Sequence, residues 1–326
     1  MTIFKNIFFA STISIVALSA VSTVAHAENY PSKLIRFVAP IPPGGSTDVL
    51  AREVAQQLQK RLGQPVVVEN RPGASGSIGT AAVAAAPADG YTILLINSSH
   101  SINPHVYKAL PYDAIKDFEP VSLMTDLPMG LFVNAKVPAA NLSEFLALAK
   151  SKPGGLSFAS SGNGGASHLT GEMFLQESGT KMVHIPYRGS APALNDVIAG
   201  QVPVLFADVP LTGPHVKSGA LRAIAITSKE RSPSMPDVVT FNEAGMKNMN
   251  LSIWIGVVAP KGTPTKIVQK LSHEIAEILK EPDMAEKVRA RGFNIVGSTP
   301  DEFAKVIRDD YKKYGEVVRN AGIKAE

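Results

Sequence analysis

The sequence contains no cysteine, and this absence limits what can hold the protein together. Without cysteine the chain has no disulfides and no attachment site for a lipoprotein lipid. Its fold must therefore depend on the hydrophobic core alone, and 326 residues are enough for a large core in two domains. If such a chain is exported, a large fold without cysteine is typical of the bacterial periplasm.

The chain also lacks a basic tract and any long apolar run after its first residues. The formal net charge is +4 at pH 7, and the positive residues are spread along the chain. This pattern gives no argument for binding nucleic acid, so we expect no nucleic-acid partner. A mild positive excess suits a small anionic ligand.

The first 27 residues have the features of a secretory signal peptide. Lys5 is their only charged residue, residues 7–20 form an apolar core, and residues 25–27 read Ala-His-Ala. The core is shorter than the roughly 20 residues that a membrane-spanning helix needs. We expect cleavage after Ala27, which lowers the net charge from +4 to +3 and releases the mature protein into the periplasm.

From residue 34 onward, short apolar runs alternate with amphipathic runs, a pattern that predicts βα units with a mainly parallel sheet between helices. The first helix is predicted over residues 48–62, with Gly63 ending it. A bend at residues 126–128 separates two predicted strands. We predict a first domain from residues 28–127 and 253–326, and a second from residues 128–252, with hinges near the two junctions.

Three glycine-rich loops follow predicted strands, at residues 40–48, 71–79 and 160–168. Glycine allows the backbone to approach a ligand closely, and a helix that begins at such a loop presents unpaired N–H groups that favour an anion. The first and third loops therefore predict a carboxylate held between two domains. The alternative is that glycine and proline only form tight turns there.

The sequence lacks the motifs of the enzyme classes that use similar loops. The chain has no phosphate-binding G-x-x-x-x-G-K-[ST] motif, and residues 162–167 fail the dinucleotide pattern at its last position. No G-x-S-x-G is present, because Leu169 stands where the second glycine belongs. A hydrolase using Ser167 and His168 remains the alternative function, although Ser167 is better explained as a helix N-cap. The histidines lack metal-ligand spacing, so no metal and no cofactor are expected.

Several segments together resemble one family, the Bug-type receptors of tripartite tricarboxylate transporters. The matching segments cover nearly all of the mature chain: residues 36–48 (RFVAPIPPGGSTD), 68–74 (VENRPGA), 88–92 (ADGYT), 102–104 (INP), 162–169 (GNGGASHL), 185–189 (IPYRG) and 221–228 (LRAIAITS). The resemblance implies an α/β, two-domain periplasmic binding protein of type II, the Venus-flytrap kind, with mixed, mostly parallel sheets flanked by helices. It implies ligand capture without catalysis.

The resemblance also implies where a small carboxylate lies. One group of ligand-binding residues belongs to the first domain: Ile41, Pro43, Gly44, Gly45, Ser46, Thr47, Asp48, Ser98, Ser99, His100 and Ser101. The opposing group belongs to the second domain: Ser161, Gly162, Gly165, Ala166, Ser167, His168, Tyr187, Arg188, Gly189 and Asp208. Asp208 is expected to choose a ligand with a hydroxyl or amino group, or to be structural. Arg188 is either a counter-ion or a solvated side chain.

The sequence departs from the family at Ile41, where an aromatic residue is frequent, so the ligand class transfers better than the ligand. The expected partners are a small mono- or dicarboxylate and the permease subunits of a tripartite tricarboxylate transporter. A receptor that signals to a sensor protein is the weaker alternative. A monomer is expected.

Overall fold

The computed structural model describes residues 30–249 and 251–323. The predicted signal peptide and its cleavage site lie outside the described residues. Within the described ranges, no helix is both long enough and apolar enough to cross a membrane.

The described residues form an α/β fold around a mixed sheet, with the strand order β2-β1-β3-β9-β4-β7-β5-β6 and with β8 and β10 also paired to β4. The strands are β1 (Ile35–Ala39), β2 (Val66–Asn70), β3 (Thr92–Asn97), β4 (Phe118–Asn134), β5 (Ser157–Ser160), β6 (Val183–Pro186), β7 (Val204–Asp208), β8 (Leu221–Ile226), β9 (Ser252–Pro260) and β10 (Asn294–Ile295). The parallel pairs are β1 with β2 and β3, and β5 with β6 and β7.

Helices cover the sheet, and all of them except α3 and α7 lie where the sequence pattern predicts a helix. They are α1 (Ser46–Leu62), α2 (Ser77–Ala84), α3 (Ser99–Val106), α4 (Leu142–Ser151), α5 (Ala166–Ser178), α6 (Ser190–Ala199), α7 (Val209–Lys217), α8 (Thr265–Lys280), α9 (Pro282–Ala290) and α10 (Pro300–Asn320). Gly63 ends α1 in the left-handed conformation, as predicted. Thr299 and Glu302 form a capping box at the start of α10.

Strand β4 corrects the prediction of two strands separated by a bend. It runs without a break through residues 126–128. Residues 118–128 pair with β9, whereas residues 129–134 pair with β7 and β8. Pro128 lacks an N–H group, and it lies where one set of partners ends and the next begins, so its missing donor does not interrupt the strand.

This change of partners divides the sheet into two parts. We call β1, β2, β3, β9, β10 and residues 118–128 the first lobe, and β5 to β8 and residues 129–134 the second lobe. The predicted domain boundaries at residues 127/128 and 252/253 stay a prediction, and they fall close to this change of pairing and to the start of β9.

The last helix packs against both lobes. Phe303 and Ile307 lie in a buried cluster with Trp254 and residues of β3. Tyr314 and Val318, farther along the same helix, lie in a second cluster with residues of β4 and α5. Helix α10 therefore links the core of the first lobe to that of the second.

Candidate functional site

The first glycine loop joins β1 to α1 and leaves the start of the helix open. Gly45 is the N-cap residue, with φ −77° and ψ 166°, and no side chain caps the helix. Gly44 has φ 94°, a conformation that other residues rarely adopt. Residues 42–45 are exposed. The N–H groups of the first helical turn are therefore available to an anion, and the helix dipole favours one there.

Asp48 holds this loop in place from inside. Its carboxylate is 2% exposed and accepts hydrogen bonds from Gly44 N (2.9 Å), Asn70 Nδ2 (2.7 Å) and Arg52 Nε (2.9 Å). Burial by itself would raise the pKa of Asp48, but the bonds from Arg52, Asn70 and Gly44 outweigh it and hold the pKa below its usual value. Both carboxylate oxygens of the predicted ligand residue Asp48 therefore accept hydrogen bonds from within the protein. The position of Asp48 gives no support to a direct contact with the ligand.

The third glycine loop, in the second lobe, repeats this geometry before α5. Gly165 is the N-cap residue with φ −78° and ψ 167°, again without a side-chain cap, and Gly164 has φ 67°. The prediction that Ser167 caps the helix is wrong. Ser167 lies inside the first turn, where its Oγ accepts from Ser161 N (2.9 Å) and shares a hydrogen bond with Ser161 Oγ (2.8 Å).

The histidines beside this loop bear on the hydrolase alternative. His168 Nδ1 accepts from Gly164 N (3.0 Å) and Nε2 lies 3.5 Å from Glu172 Oε1, so neither of these contacts is with Ser167. Ser160 Oγ lies 2.6 Å from Nε2 of His184, but Ser160 is buried beneath the loop. Burial, with a smaller effect of His168, lowers the pKa of His184 to about 4. An inaccessible serine beside so weak a base does not make a nucleophile.

Most side chains of residues 98–101, which follow β3, point into the protein. Ser98 Oγ accepts from Trp254 N (3.0 Å), His100 Nε2 bonds to Ala114 O (2.8 Å), and Ser101 Oγ donates to Ile307 O (3.4 Å). All three side chains are buried. Of the four residues predicted here, Ser99 is the one that is only half-buried.

A cavity of about 420 Å³ lies at the carboxyl ends of β1 and β3. Its lining includes Ile41, Ser99 and His100, which were predicted, and Ser75, Asn97, Asn103 and Tyr112, which were not. Parallel strands bring their carboxyl ends to one edge of a sheet, which is where ligands of α/β proteins bind. The glycine-rich stretch at residues 71–79 was the signal in the sequence that could have added Ser75.

Ser75 itself is held in an unusual conformation. Ala74 and Ser75 have φ 47° and 50°, in the left-handed region that residues with a Cβ rarely occupy. Asn103 Nδ2 donates to Ser75 O (3.0 Å), and Ser75 Oγ lies 2.5 Å from the hydroxyl of Tyr107. Such backbone strain is stored at functional sites when surrounding bonds enforce it.

Comparison with known proteins assigns the chain to a family. A family model described as "Tripartite tricarboxylate transporter family receptor" matches residues 50–323. Protein BugT of Bordetella pertussis is 40% identical over 311 residues, which cover 95% of this chain and 95% of that protein. The chain belongs to the tripartite tricarboxylate transporter receptor family. It is a receptor of the Bug type, as its sequence motifs indicate.

Two solved structures of similar proteins were determined with acids. R. palustris Rpa4515 with adipate has 32% sequence identity and a TM-score of 0.78, and the match covers 91% of this chain and 100% of that one. MatC from Rhodopseudomonas palustris with bound malate has 30% identity and a TM-score of 0.74, and the match covers 89% of this chain and 100% of that one. The receptor therefore has the periplasmic binding protein fold that its motifs imply.

The remaining predicted residues of the receptor lie around the second lobe's loop. Gly189 N donates to Ser161 O (3.2 Å), which joins the two segments. Tyr187 donates to Asp196 Oδ2 (2.7 Å), and burial together with this bond raises the pKa of Tyr187 to about 12. Arg188 is exposed, and its side chain has no hydrogen bond or ion pair to the other described residues. Whether it is a solvated side chain or a counter-ion to the ligand stays a prediction.

Asp208 ends β7 and caps α7. Its Oδ1 accepts from Leu211 N (2.9 Å), and Thr212 Oγ1 donates to its carbonyl oxygen (3.0 Å). Burial raises the pKa of Asp208, and the bond from Leu211 opposes this only in part. The structural role of this carboxylate is therefore established by its contacts, whereas contact with a ligand stays a prediction. Among the described residues, no group of three or more acidic residues or histidines could hold a metal ion.

Proposed function

We propose that the mature protein is a periplasmic receptor that captures a small mono- or dicarboxylate between the loop before α1 and the loop before α5. The observation that carries the proposal is that both helices begin at a Gly-Gly pair. In each pair the first glycine has a positive φ, the second has the same N-cap conformation, and neither helix has a side-chain cap. Family membership supports a receptor, and the adipate and malate of the two similar structures support the ligand class.

The strength of such a site follows from its N–H groups. A hydrogen bond from a backbone N–H to a carboxylate contributes about 1.5 to 3 kcal/mol net. Three or four of them approach the roughly 8 kcal/mol of a micromolar complex, before the costs of ordering are subtracted. A buried, fully paired Asp48 keeps the first loop in shape before ligand arrives, which reduces that ordering cost.

Captured ligand is then delivered to the permease subunits of a tripartite tricarboxylate transporter, and no bond of the ligand is made or broken. The lobes close around the ligand by hinges near residues 126–128 and 252–255. The change of pairing partners within β4 at Pro128 and Met129 supports the first of these hinges.

Isothermal titration calorimetry with a panel of acids tests the proposal. The panel includes adipate and malate, with the corresponding diamides as uncharged controls. We expect at least one acid to bind in the micromolar range or tighter, its amide to bind at least a hundredfold more weakly, and the acid to be recovered intact. Equal affinity for acid and amide contradicts the role of the helix N-termini, and conversion of the acid to a product contradicts a receptor.

In this proposal, the backbone N–H groups recognise the carboxylate, and Asp208 distinguishes between different acids. A carboxylate near an anionic ligand is favourable only when a hydroxyl or amino group of the ligand donates to it. We expect the wild-type protein to prefer malate over succinate, and Asp208→Asn to lose that preference while keeping its cap on Leu211 N. An unchanged ratio of the two affinities leaves Asp208 with its structural role only.

A further inference from the structure

The loops before α1 and α5 share a Gly-Gly pair and one internal hydrogen bond. Residues 43–48 read Pro-Gly-Gly-Ser-Thr-Asp, and residues 163–168 read Asn-Gly-Gly-Ala-Ser-His. In each loop the first glycine has a positive φ, and its N–H donates to the side chain four residues later. The distances are 2.9 Å from Gly44 N to Asp48 Oδ2 and 3.0 Å from Gly164 N to His168 Nδ1.

The two acceptors differ in how they respond to protons. Asp48 is a carboxylate whose charge is balanced by Arg52. His168 accepts through Nδ1, and because a backbone N–H can only donate, this nitrogen carries a lone pair and no proton. Its hydrogen is then on Nε2, which lies 3.5 Å from Glu172 Oε1. A proton added to Nδ1 removes the acceptor for Gly164.

We propose that neutral His168 is the positioning residue of the second lobe's loop, and that its protonation releases Gly164 and weakens ligand binding while Asp48 keeps the first loop in place. This inference rests on the proposed carboxylate site. It adds to that site a dependence on pH that belongs to one lobe only. Imidazole is the side chain suited to this role, because its charge changes between about pH 5 and 8.

The groups around His168 decide how the loop responds. Glu172, on the same helix, favours a charged imidazole. The ring of His184, on β6, is stacked on that of His168 with 3.7 Å between centroids and 9° between planes. Phe158 of β5 lies behind both rings, and α3 presents the apolar Val106 to Gly164. The N-terminus of α5 opposes a positive charge at this position.

His184 does not compete for the proton in the relevant range. Burial keeps its pKa near 4, so it stays neutral at pH 5.5. A proton added to His168 acts on the bond to Gly164, which is the only one of the described contacts of His168 that needs an unprotonated Nδ1.

The first experiment uses the ligand-free, ¹⁵N-labelled protein. NMR follows the imidazole nitrogens of His168 and the amide of Gly164 from pH 7.5 to 5.5. We expect the Gly164 amide signal to shift with the same midpoint as His168 Nδ1, while the Gly44 amide signal does not follow this titration. A Gly164 signal that does not follow His168 overturns the proposal, whether or not any acid binds.

The second experiment measures affinity at both pH values with the tightest acid of the panel. His168→Asn places an acceptor oxygen four residues after Gly164, where the first loop has the oxygen of Asp48, and this amide oxygen does not become protonated between pH 7.5 and 5.5. Because both proteins meet the same ligand, its own titration cancels. We expect wild-type affinity to fall at pH 5.5 by about three- to tenfold more than that of His168→Asn, as the loss of one hydrogen bond implies.

An exposed histidine provides the matched control. His273→Asn, on α8, is expected to keep the wild-type dependence on pH. Equal dependence in wild type and His168→Asn overturns the inference while leaving the proposed function intact. Absence of binding by every acid at pH 7.5 contradicts the proposed function instead, and the NMR titration still decides the role of His168.

Discussion

Acid should destabilise the protein through His100, a predicted ligand residue that is buried at the edge of the cavity. Its side chain is 5% exposed and lies against the rings of Tyr112 and Phe118. Nε2 bonds to Ala114 O, whereas Nδ1 has no partner among the described residues. Burial lowers the pKa of His100 to about 4, although the bond to Ala114 acts in the opposite direction.

The sign and size of the effect follow from this pKa. Between pH 6.5 and 4 the unfolded chain binds a proton at His100 and the folded protein does not, so stability falls as pH falls through this window. With an unfolded pKa of about 6.5, the free energy of unfolding should drop by roughly 2 kcal/mol between pH 7 and pH 5 from this residue.

Urea denaturation at the two pH values measures this contribution, with the fluorescence of Trp254, the single tryptophan, as the signal. His100→Gln keeps a donor for Ala114 O but cannot titrate. His184 contributes to acid sensitivity in both proteins, so its effect cancels. We expect wild type to lose about 2 kcal/mol more than His100→Gln between pH 7 and pH 5. Equal losses would refute the assignment of a neutral, buried imidazole.

Three further changes test other parts of the structure by the same denaturation assay. Asp48→Ala should lower the free energy of unfolding by about 2 to 3 kcal/mol, because it removes the acceptor of four hydrogen bonds from Gly44, Asn70 and Arg52, whereas the exposed control Asp309→Ala should leave it nearly unchanged. Gly256→Ala should cost about 3 kcal/mol, because its Cβ would lie 2.3 Å from Phe303 Cζ. Trp254→Phe, followed by circular dichroism because this variant has no tryptophan, should cost about 1 to 2 kcal/mol through the lost bond from Nε1 to Asp310 of α10, and unchanged stability would show that water replaces it.

The alternation of strands and helices could be predicted because it depends on local periodicity. Helix α8 is an example, since Ile267, Leu271, Ile275 and Ile278 recur at helical spacing and all are buried. The predictions failed where a segment far away in the sequence determines the local structure. Strand β4 continues through Pro128 because β9, far along the chain, supplies pairing up to that residue. Helices α3 and α7 were missed because each is short and contains a proline.

The same distinction applies to the candidate site. The two Gly-Gly loops were predictable because glycine marks a backbone conformation that the sequence itself requires. The destinations of Ser98 and Ser101 were not, because their partners are Trp254 and Ile307, which lie 156 and 206 residues away. A serine beside a glycine loop looks the same in sequence whether it faces a ligand or the core.

These destinations change how specificity should be sought in this receptor. Asp48, Ser167 and His168 each accept a hydrogen bond from a backbone N–H group of a glycine loop, at Gly44, Ser161 and Gly164. Their polar atoms shape the loops, so in the proposed site the charge of the acid is met mainly by backbone N–H groups. Backbone groups recognise any carboxylate, and the rest of the ligand must be distinguished by neighbouring side chains. Substitutions at the three acceptors should therefore change affinity for all acids together, whereas substitutions of cavity-lining side chains such as Ser99 and Asn97 should change the order of preference.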